Sequence, residues 1–319
     1  MRAAALLNTS AGGAGSISDV IRAIDAFLLG CDVVTVPGFG CGLIRGVQTD
    51  CPGDTEYIGH LNAAVDAVST KNPDFYIVAG GDGFAAYVAA RLLKTGHSQP
   101  KLIGVAMGTA NVGPIISFSA KTLRAVTPQA LCYEACGAVE AFDADASVAF
   151  GFNDIVLGNT ILGTIDGVVL TLSARTMAQT GQKVPELPNE NIAENLAVRK
   201  NGMPFASPLK HTAQIVASTL EREKHYGRAV TGMLCYSDIQ QTHCALLLSE
   251  RPLVVVDYDP RGFESPALFA HLLFSAQDEI RIEGLLPSAL IIADGNPYLR
   301  TGNTVSLRYR PNIIQIARK

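Results

Sequence analysis

A short glycine-rich segment, Gly80-Gly81-Asp82-Gly83, lies between an apolar stretch and an amphipathic stretch. Glycines permit a tight turn and a close approach of the backbone to a ligand, and the N–H groups at a helix start attract phosphate. A carboxylate among them repels phosphate unless it carries Mg²⁺ or accepts a proton from a substrate hydroxyl. The segment therefore predicts a phosphate site with Asp82 as the catalytic residue, and the alternative is a tight turn with Asp82 as a helix cap.

Two further polar loops also follow apolar stretches. The segments LLNTSAGGAG and LIGVAMGTANVGP supply Asn8, Gly12 and Gly13, and then Gly108, Thr109 and Asn111. Loops at the carboxyl ends of parallel strands meet at one edge of the sheet, which is where α/β proteins bind ligands. The three loops together predict a site for a small-molecule nucleotide or its phosphates.

Other common site signatures are absent from the sequence. It contains no G-x-x-x-x-G-K-[ST] segment, which excludes a P-loop, and no G-x-S-x-G elbow of a hydrolase. The segment PGFGCGLIRG, residues 37–46, lacks the third glycine of the dinucleotide fingerprint at the required spacing. A Rossmann dehydrogenase is therefore a weaker alternative.

The elements that must position these loops follow an alternating pattern. Apolar runs predict strands near 3–7, 32–36, 75–79 and 102–106, and helical patterns predict helices near 16–29, 55–69 and 84–94. Strands that alternate with helices are typical of a parallel sheet with helices on both faces. We therefore expect residues 1–126 to form an α/β nucleotide-binding domain.

The pattern changes after about residue 127, so we expect residues 127–319 to form a β-rich, sandwich-like domain. One helix, 209–224, is predicted within it, after a long polar loop over 177–207. The predicted strands lie near 139–144, 148–157, 166–173, 229–237, 243–249, 253–258, 279–284, 288–293 and 304–310.

Composition limits the classes of partner. Hydrophobic residues make up 48% and charged residues 17% of the 319 residues, which indicates a folded chain. A net charge of −4 and a pI of 5.9 argue against nucleic acid, and the lack of a long apolar stretch argues against a membrane and for a cytoplasmic protein. The seven cysteines match neither a disulfide framework nor the C-x-x-C pairs of zinc sites. Whether the chain forms a homo-oligomer stays open.

The GGDG segment at 80–83 together with GT-x-N at 108–111 resembles the NAD kinase and diacylglycerol kinase superfamily. Within it, the chain is most similar to the acetoin catabolism protein X branch, an ATP-NAD kinase-like group. That closer resemblance rests on N-x-x-x-G-G at 8–13, PGFG at 37–40, Asp54-Thr55 before a helix, GTANVGP at 108–114 and IIADG at 291–295.

The resemblance implies two domains with a site in the cleft between them, and a kinase that uses ATP with Mg²⁺ and has NAD as a possible substrate. It assigns phosphoryl transfer to Asp82, with Mg²⁺ held through that carboxylate. It assigns nucleotide binding to the glycines at 80, 81 and 83 and to the GT-x-N loop that contains Thr109 and Asn111. It also implies that Asn8, Asp82, Asn111 and Asp294 converge.

The sequence departs from the family pattern at several positions. Phe84 replaces the threonine of GGDGT; we interpret it as an apolar wall for a ligand, with a core position as the alternative. Asn296 stands where the acid of a D-G-E element is usual, and Asn153-Asp154 resembles the substrate-binding Asn-Glu pair or is an ordinary turn. Asp54-Thr55 is either a substrate contact or a helix N-cap.

The sequence thus favours an NAD kinase-like phosphotransferase. A non-catalytic nucleotide-binding accessory or regulatory protein of acetoin catabolism is the first alternative, because the signature has lost its threonine. A lipid kinase of the diacylglycerol kinase type is the second. The acidic balance and the lack of a basic amphipathic helix argue against the lipid kinase.

Overall fold

The computed structural model describes residues 1–10, 17–53, 56–107, 113–207, 209–219, 243–256 and 267–319. The chain divides into two compact units, Met1–Cys136 with Asn312–Lys319, and Gly137–Pro311. None of the helices in the described part of the chain has both the length and the apolar character needed to cross a bilayer.

The first unit alternates strands and helices. Its strands are β1 (Arg2–Leu7), β2 (Asp32–Thr35), β3 (Val47–Gln48), β4 (Phe75–Gly80), β5 (Lys101–Ala106) and β6 (Ile116–Phe118). Its helices are α1 (Ile17–Phe27), α2 (Tyr57–Ser69), α3 (Asp82–Lys94) and α4 (Ala120–Leu123), followed by a 3-10 turn at Pro128–Ala130.

These strands form a parallel sheet in the order β5-β4-β1-β2-β3, with the carboxyl end of the last strand of the chain lying parallel to β5. Helix α1 buries one stripe at i, i+3, i+4 and i+7 spacing against the face that contains Ala3, Ala5 and Leu7. On the opposite face Tyr76 contacts His97, just after α3. The predicted fold class of this part, a parallel sheet with helices on both faces, is confirmed.

The second unit consists almost entirely of strands. They are β7 (Cys132–Asp143), β8 (Ala146–Gly151), β9 (Asp154–Gly158), β10 (Thr160–Ile165), β11 (Val168–Ser173), β12 (Ala193–Lys200), β13 (Met203–Phe205), β14 (Gln214–Thr219), β15 (Cys244–Ser249), β16 (Phe269–Phe274), β17 (Glu279–Leu285), β18 (Leu290–Ala293), β19 (Asn296–Tyr298) and β20 (Val305–Arg318). The first residues of β7 and the last residues of β20 belong to the first unit. One short helix, α5 (Ala174–Thr180), follows β11.

Two antiparallel arrays share one core in this unit. One array has the order β13-β12-β17-β20, and the other has the order β16-β15-β14-β9-β18-β19. Ile282 and Leu307 from the first array lie in one buried cluster with Ile215 and Leu246 from the second. This arrangement confirms the β-rich, sandwich-like second domain.

Two predicted elements of the second unit are wrong. The helix predicted over 209–224 is an irregular segment at 209–213 followed by strand β14, because residues 214–219 are buried between β9 and β15. The loop predicted over 177–207 contains the end of α5 and strands β12 and β13. A bulge at Asn195, which has a φ of 53°, interrupts the alternation of β12 and hides the strand from pattern reading.

Other predicted strands differ in detail. The single strand predicted over 148–157 is two strands, β8 and β9, separated at Phe152-Asn153. The described part of the strand predicted at 253–258, residues 253–256, contains no strand. The strand predicted at 229–237 lies outside the described residues.

Candidate functional site

The carboxyl ends of three neighbouring strands lie level with one another in the first unit. The backbone N–H of Asn8, directly after β1, donates to the carbonyl of Ala79 at 2.9 Å. The N–H of Met107, directly after β5, donates to the carbonyl of Gly80 at 2.8 Å. Asn8 and the glycine segment therefore lie side by side at the sheet edge where the sequence predicts a ligand.

Helix α3 begins inside the glycine segment. Gly81 is its N-cap residue and offers no side-chain cap, and Asp82 is the first helical residue, with Gly83 after it. Oδ2 of Asp82 accepts the backbone N–H of Gly113 at 3.0 Å. A Cβ on Gly113 would lie 3.2 Å from Oδ1 of Asp82, so glycine allows this close approach. The contact between Asp82 and Gly113 thus ties the start of α3 to the segment that precedes β6.

Phe84 is buried, with 7% of its surface exposed. Its ring stacks on Phe39, with centroids 6.1 Å apart and planes at 21°. A Cβ on Gly80 would lie 2.6 Å from the Phe84 ring, so the glycine leaves room for the phenylalanine. As the wall of a ligand site, Phe84 is expected to be half exposed. That expectation is wrong, because the ring packs into the protein.

The PGFG turn at 37–40 is part of the same edge. The Phe39 carbonyl accepts the N–H of Leu7 at 3.1 Å, and its ring contacts His60 with centroids 5.2 Å apart. Gly38 has a φ of 80°, and a Cβ there would lie 2.7 Å from the His60 ring. Phe39 is the residue that sequence reasoning missed here; the available signal was an aromatic residue between two turn glycines.

In the second unit, Asn153, Asp154 and Asp294 come together. The Asp294 carboxylate accepts backbone N–H groups from Phe152 at 2.8 Å, Asn153 at 2.7 Å and Asp154 at 3.1 Å. Asp294 has a φ of 47° in the turn between β18 and β19. These three donors fix the break between β8 and β9, so the turn that presents Asn153 and Asp154 is built by Asp294.

Burial and a neighbouring charge act in the same direction on the Asp294 carboxyl at this turn. Burial and the neighbouring Asp154 carboxylate raise the pKa of Asp294 to about 7, and the three backbone donors oppose the rise. Nδ2 of Asn153 lies 3.4 Å from Oδ2 of Asp154, and Oδ1 of Asn153 is buried without a hydrogen-bond partner among the described residues. Nδ2 of Asn296 donates to the carbonyl of Ala293 at 3.2 Å.

This pair of carboxylates makes a prediction about pH. Asp154→Asn removes the like charge but not the burial, so we expect the pKa of Asp294 to fall below about 7 and to stay above its ordinary 3.8. Because the pKa of Asp294 in the folded state lies above its unfolded value, its contribution to the free energy of unfolding is fully present below about pH 4. That contribution is lost as the pH rises through about 7. The carboxyl ¹³C shift of Asp294 across pH measures the change. Asp166→Asn, in an exposed turn, is the control, and an unmoved Asp294 titration would contradict the coupling.

Several predicted site residues lie outside the described part of the chain: Gly12, Gly13, Asp54, Thr55, Gly108, Thr109 and Asn111. The predicted convergence of Asn8, Asp82, Asn111 and Asp294 stays a prediction. Within the described ranges, no three His, Cys, Asp or Glu side chains lie close enough together to form a metal site.

No protein-family model matches the chain. An uncharacterized protein from Archaeoglobus fulgidus is 28% identical over 206 residues, which are 60% of this chain and 59% of that protein. The chain thus matches about three fifths of the length of that relative. The crystal structure of yeast NADH kinase complexed with NADH superimposes with a TM-score of 0.55 at 14% identity, over 100% of this chain and 83% of that one. With its parallel sheet and β-rich second unit, the chain has the NAD kinase fold.

Proposed function

We propose that the chain is an NAD kinase-like phosphotransferase that moves a phosphoryl group from ATP, or another phosphate donor, to a hydroxyl of NAD or a related nucleotide. The observation that carries the proposal is Asp82 at the start of α3, on the sheet edge where β1, β4 and β5 end. The fold shared with the yeast enzyme supports the same class of reaction.

The chemistry follows from the position of Asp82. Backbone N–H groups at the start of α3 attract the phosphates, because they have no partners inside the helix. The acceptor hydroxyl attacks the terminal phosphorus, and the bond from that phosphorus to the bridging oxygen breaks, so that the rest of the donor, ADP in the case of ATP, leaves. The Asp82 carboxylate takes the hydroxyl proton. In the alternative role, the Asp82 carboxylate would hold Mg²⁺, which would neutralise charge on the nucleotide phosphates.

The turn built by Asp294 supports a role for Asn153 and Asp154 in binding the acceptor. A buried polar atom without a hydrogen bond costs about 1 to 3 kcal/mol, and Oδ1 of Asn153 is such an atom among the described residues. Because this oxygen is buried, a sugar hydroxyl would reach it only when the turn opens, and a donated hydrogen bond would then remove the cost. As an ordinary turn, the segment would leave the Asn153 amide oxygen unexplained.

A binding and transfer experiment tests the proposal. The purified protein is screened with Mg²⁺ against ATP, NAD, NADP and diacylglycerol, and each ligand that binds is then assayed for phosphate transfer. We expect ATP and NAD to bind and phosphorylated NAD to form. A phosphorylated lipid product would overturn the proposal in favour of a lipid kinase.

A second candidate is a nucleotide-binding accessory or regulatory protein of acetoin catabolism that performs no transfer. Two observations favour it. Phe84 is buried where the family has a threonine hydroxyl, and the Asn296 amide is engaged within its own turn. Nucleotide binding without turnover in the same screen would support this candidate.

A further inference from the structure

Gly113 and Pro114 lie between β5 and β6 in the chain, and two side chains hold them by hydrogen bonds. Asp82 accepts the N–H of Gly113 at 3.0 Å. Nη1 of Arg318 donates to the carbonyl of Pro114 at 3.2 Å and to Oγ of Ser117 at 2.6 Å. We call these four residues, Asp82, Gly113, Pro114 and Arg318, the clamp. The proposed catalytic carboxylate of Asp82 lies at one end of the clamp, and the guanidinium of Arg318 lies at the other.

Arg318 is itself firmly placed. The end of β20 pairs with the start of β5, with Ile316 opposite Leu102. Nε of Arg318 donates to Oε2 of Glu134 at 2.7 Å, and 24% of the Arg318 side chain is exposed. The guanidinium therefore uses its planar fork for three partners at once, which the single ammonium of lysine does not reproduce.

The residues after Pro114 leave little room for adjustment. A Cβ on Gly104 of β5 would lie 2.2 Å from the carbonyl oxygen of Ile115, so the backbone at Ile115 lies in direct contact with this strand. Pro114 has no N–H, so its carbonyl is the backbone group through which it can be held. A shift of Pro114 passes directly to Gly113, whose N–H is bonded to Asp82.

We propose that Arg318 is a positioning residue for Asp82, acting through Pro114 and Gly113. This inference rests on the proposed function, because it gives Asp82 a reaction to perform. The hydrogen bonds of the clamp form in the protein without ligand. A test of these bonds can therefore fail or succeed independently of a test for phosphoryl transfer.

The test uses Arg318→Gln and Arg318→Lys in the full chain. We expect Arg318→Gln to speed hydrogen exchange at the Gly113 amide, while the amide of Ile77 in the centre of the sheet exchanges as before. We expect kcat to fall about tenfold with a smaller change in KM, since a small displacement of a catalytic group slows the reaction more than binding. Arg318→Lys should restore part of the rate and part of the protection.

Glu134→Gln is the matched control. It removes the exposed ion pair and leaves the bonds of Arg318 to Pro114 and Ser117, so kcat should stay within about twofold. The proposal is overturned if Glu134→Gln has the effect of Arg318→Gln, or if Arg318→Gln leaves Gly113 exchange unchanged. If Arg318→Gln does not fold, Ser117→Ala and Arg318→Lys carry the same comparison. If the wild type transfers no phosphate, the exchange result alone decides.

Discussion

Asp82→Asn should lower the rate of phosphoryl transfer by a factor on the order of 100 or more, the effect of losing a general base. The amide keeps one oxygen that can accept the Gly113 N–H, so the link between the two loops survives. The substitution removes the negative charge that takes the proton or holds Mg²⁺. We therefore expect the melting temperature to change little. Initial rates at saturating nucleotide, with thermal melting of the same sample, measure both effects.

Asp66→Asn is the control for the loss of one carboxylate from the first unit. Asp66 lies in α2 and pairs with Arg91 of α3 at 2.8 Å from Nε, away from the glycine segment. We expect it to leave transfer unchanged and to lower stability by less than about 1 kcal/mol. If Asp82→Asn retains full activity, the catalytic assignment fails. If it does not fold, Asp82 serves chiefly to hold Gly113.

Phe84→Thr should lower the free energy of unfolding by about 2 to 4 kcal/mol and leave nucleotide preference unchanged. The ring is 7% exposed and stacks on Phe39, so threonine leaves a cavity beside Gly80 and buries a hydroxyl. This expectation reverses the ligand-wall interpretation made from the sequence. Denaturant unfolding and nucleotide affinity, measured on one preparation, provide the two readouts.

Phe84→Leu separates lost volume from a gained hydroxyl. Leucine keeps the site apolar and nearly filled, so we expect a loss below about 1.5 kcal/mol and the same affinity. A Phe84→Thr protein of unchanged stability but altered nucleotide affinity would instead establish contact with the ligand. Loss of stability in both variants, in the expected order, would identify Phe84 as core.

The first unit could be predicted from sequence because its signals are local. The strand at Phe75–Gly80 is continuously apolar, as a strand buried on both faces must be, and glycines mark its end before α3 begins. The edge position of Asn8 follows from parallel pairing alone. Phe84 was harder, because its burial depends on Phe39, which is 45 residues earlier in the chain.

The second unit resisted prediction where distant residues decide local structure. The Asp294 carboxylate accepts the N–H groups of Phe152 and Asn153 and so separates β8 from β9, although it lies about 140 residues later in the chain. Strand β14 reads as a helix until its neighbours on both sides are known. Pairing between β12 and β17 likewise overrides the polar character of the segment predicted as a loop. No local pattern contains this information.

The last strand also sets an order of assembly during synthesis. Residues 312–319 belong to the unit that begins at Met1, and Gln315 pairs with Lys101 at the start of β5. When residues 1–136 have emerged from the ribosome, the start of β5 therefore still lacks this neighbour, and its open backbone groups can pair with another chain. The sheet of the first unit is complete only after the whole second unit has been translated and residues 315–316 pair with residues 101–102. Contacts between residues so far apart in sequence form slowly.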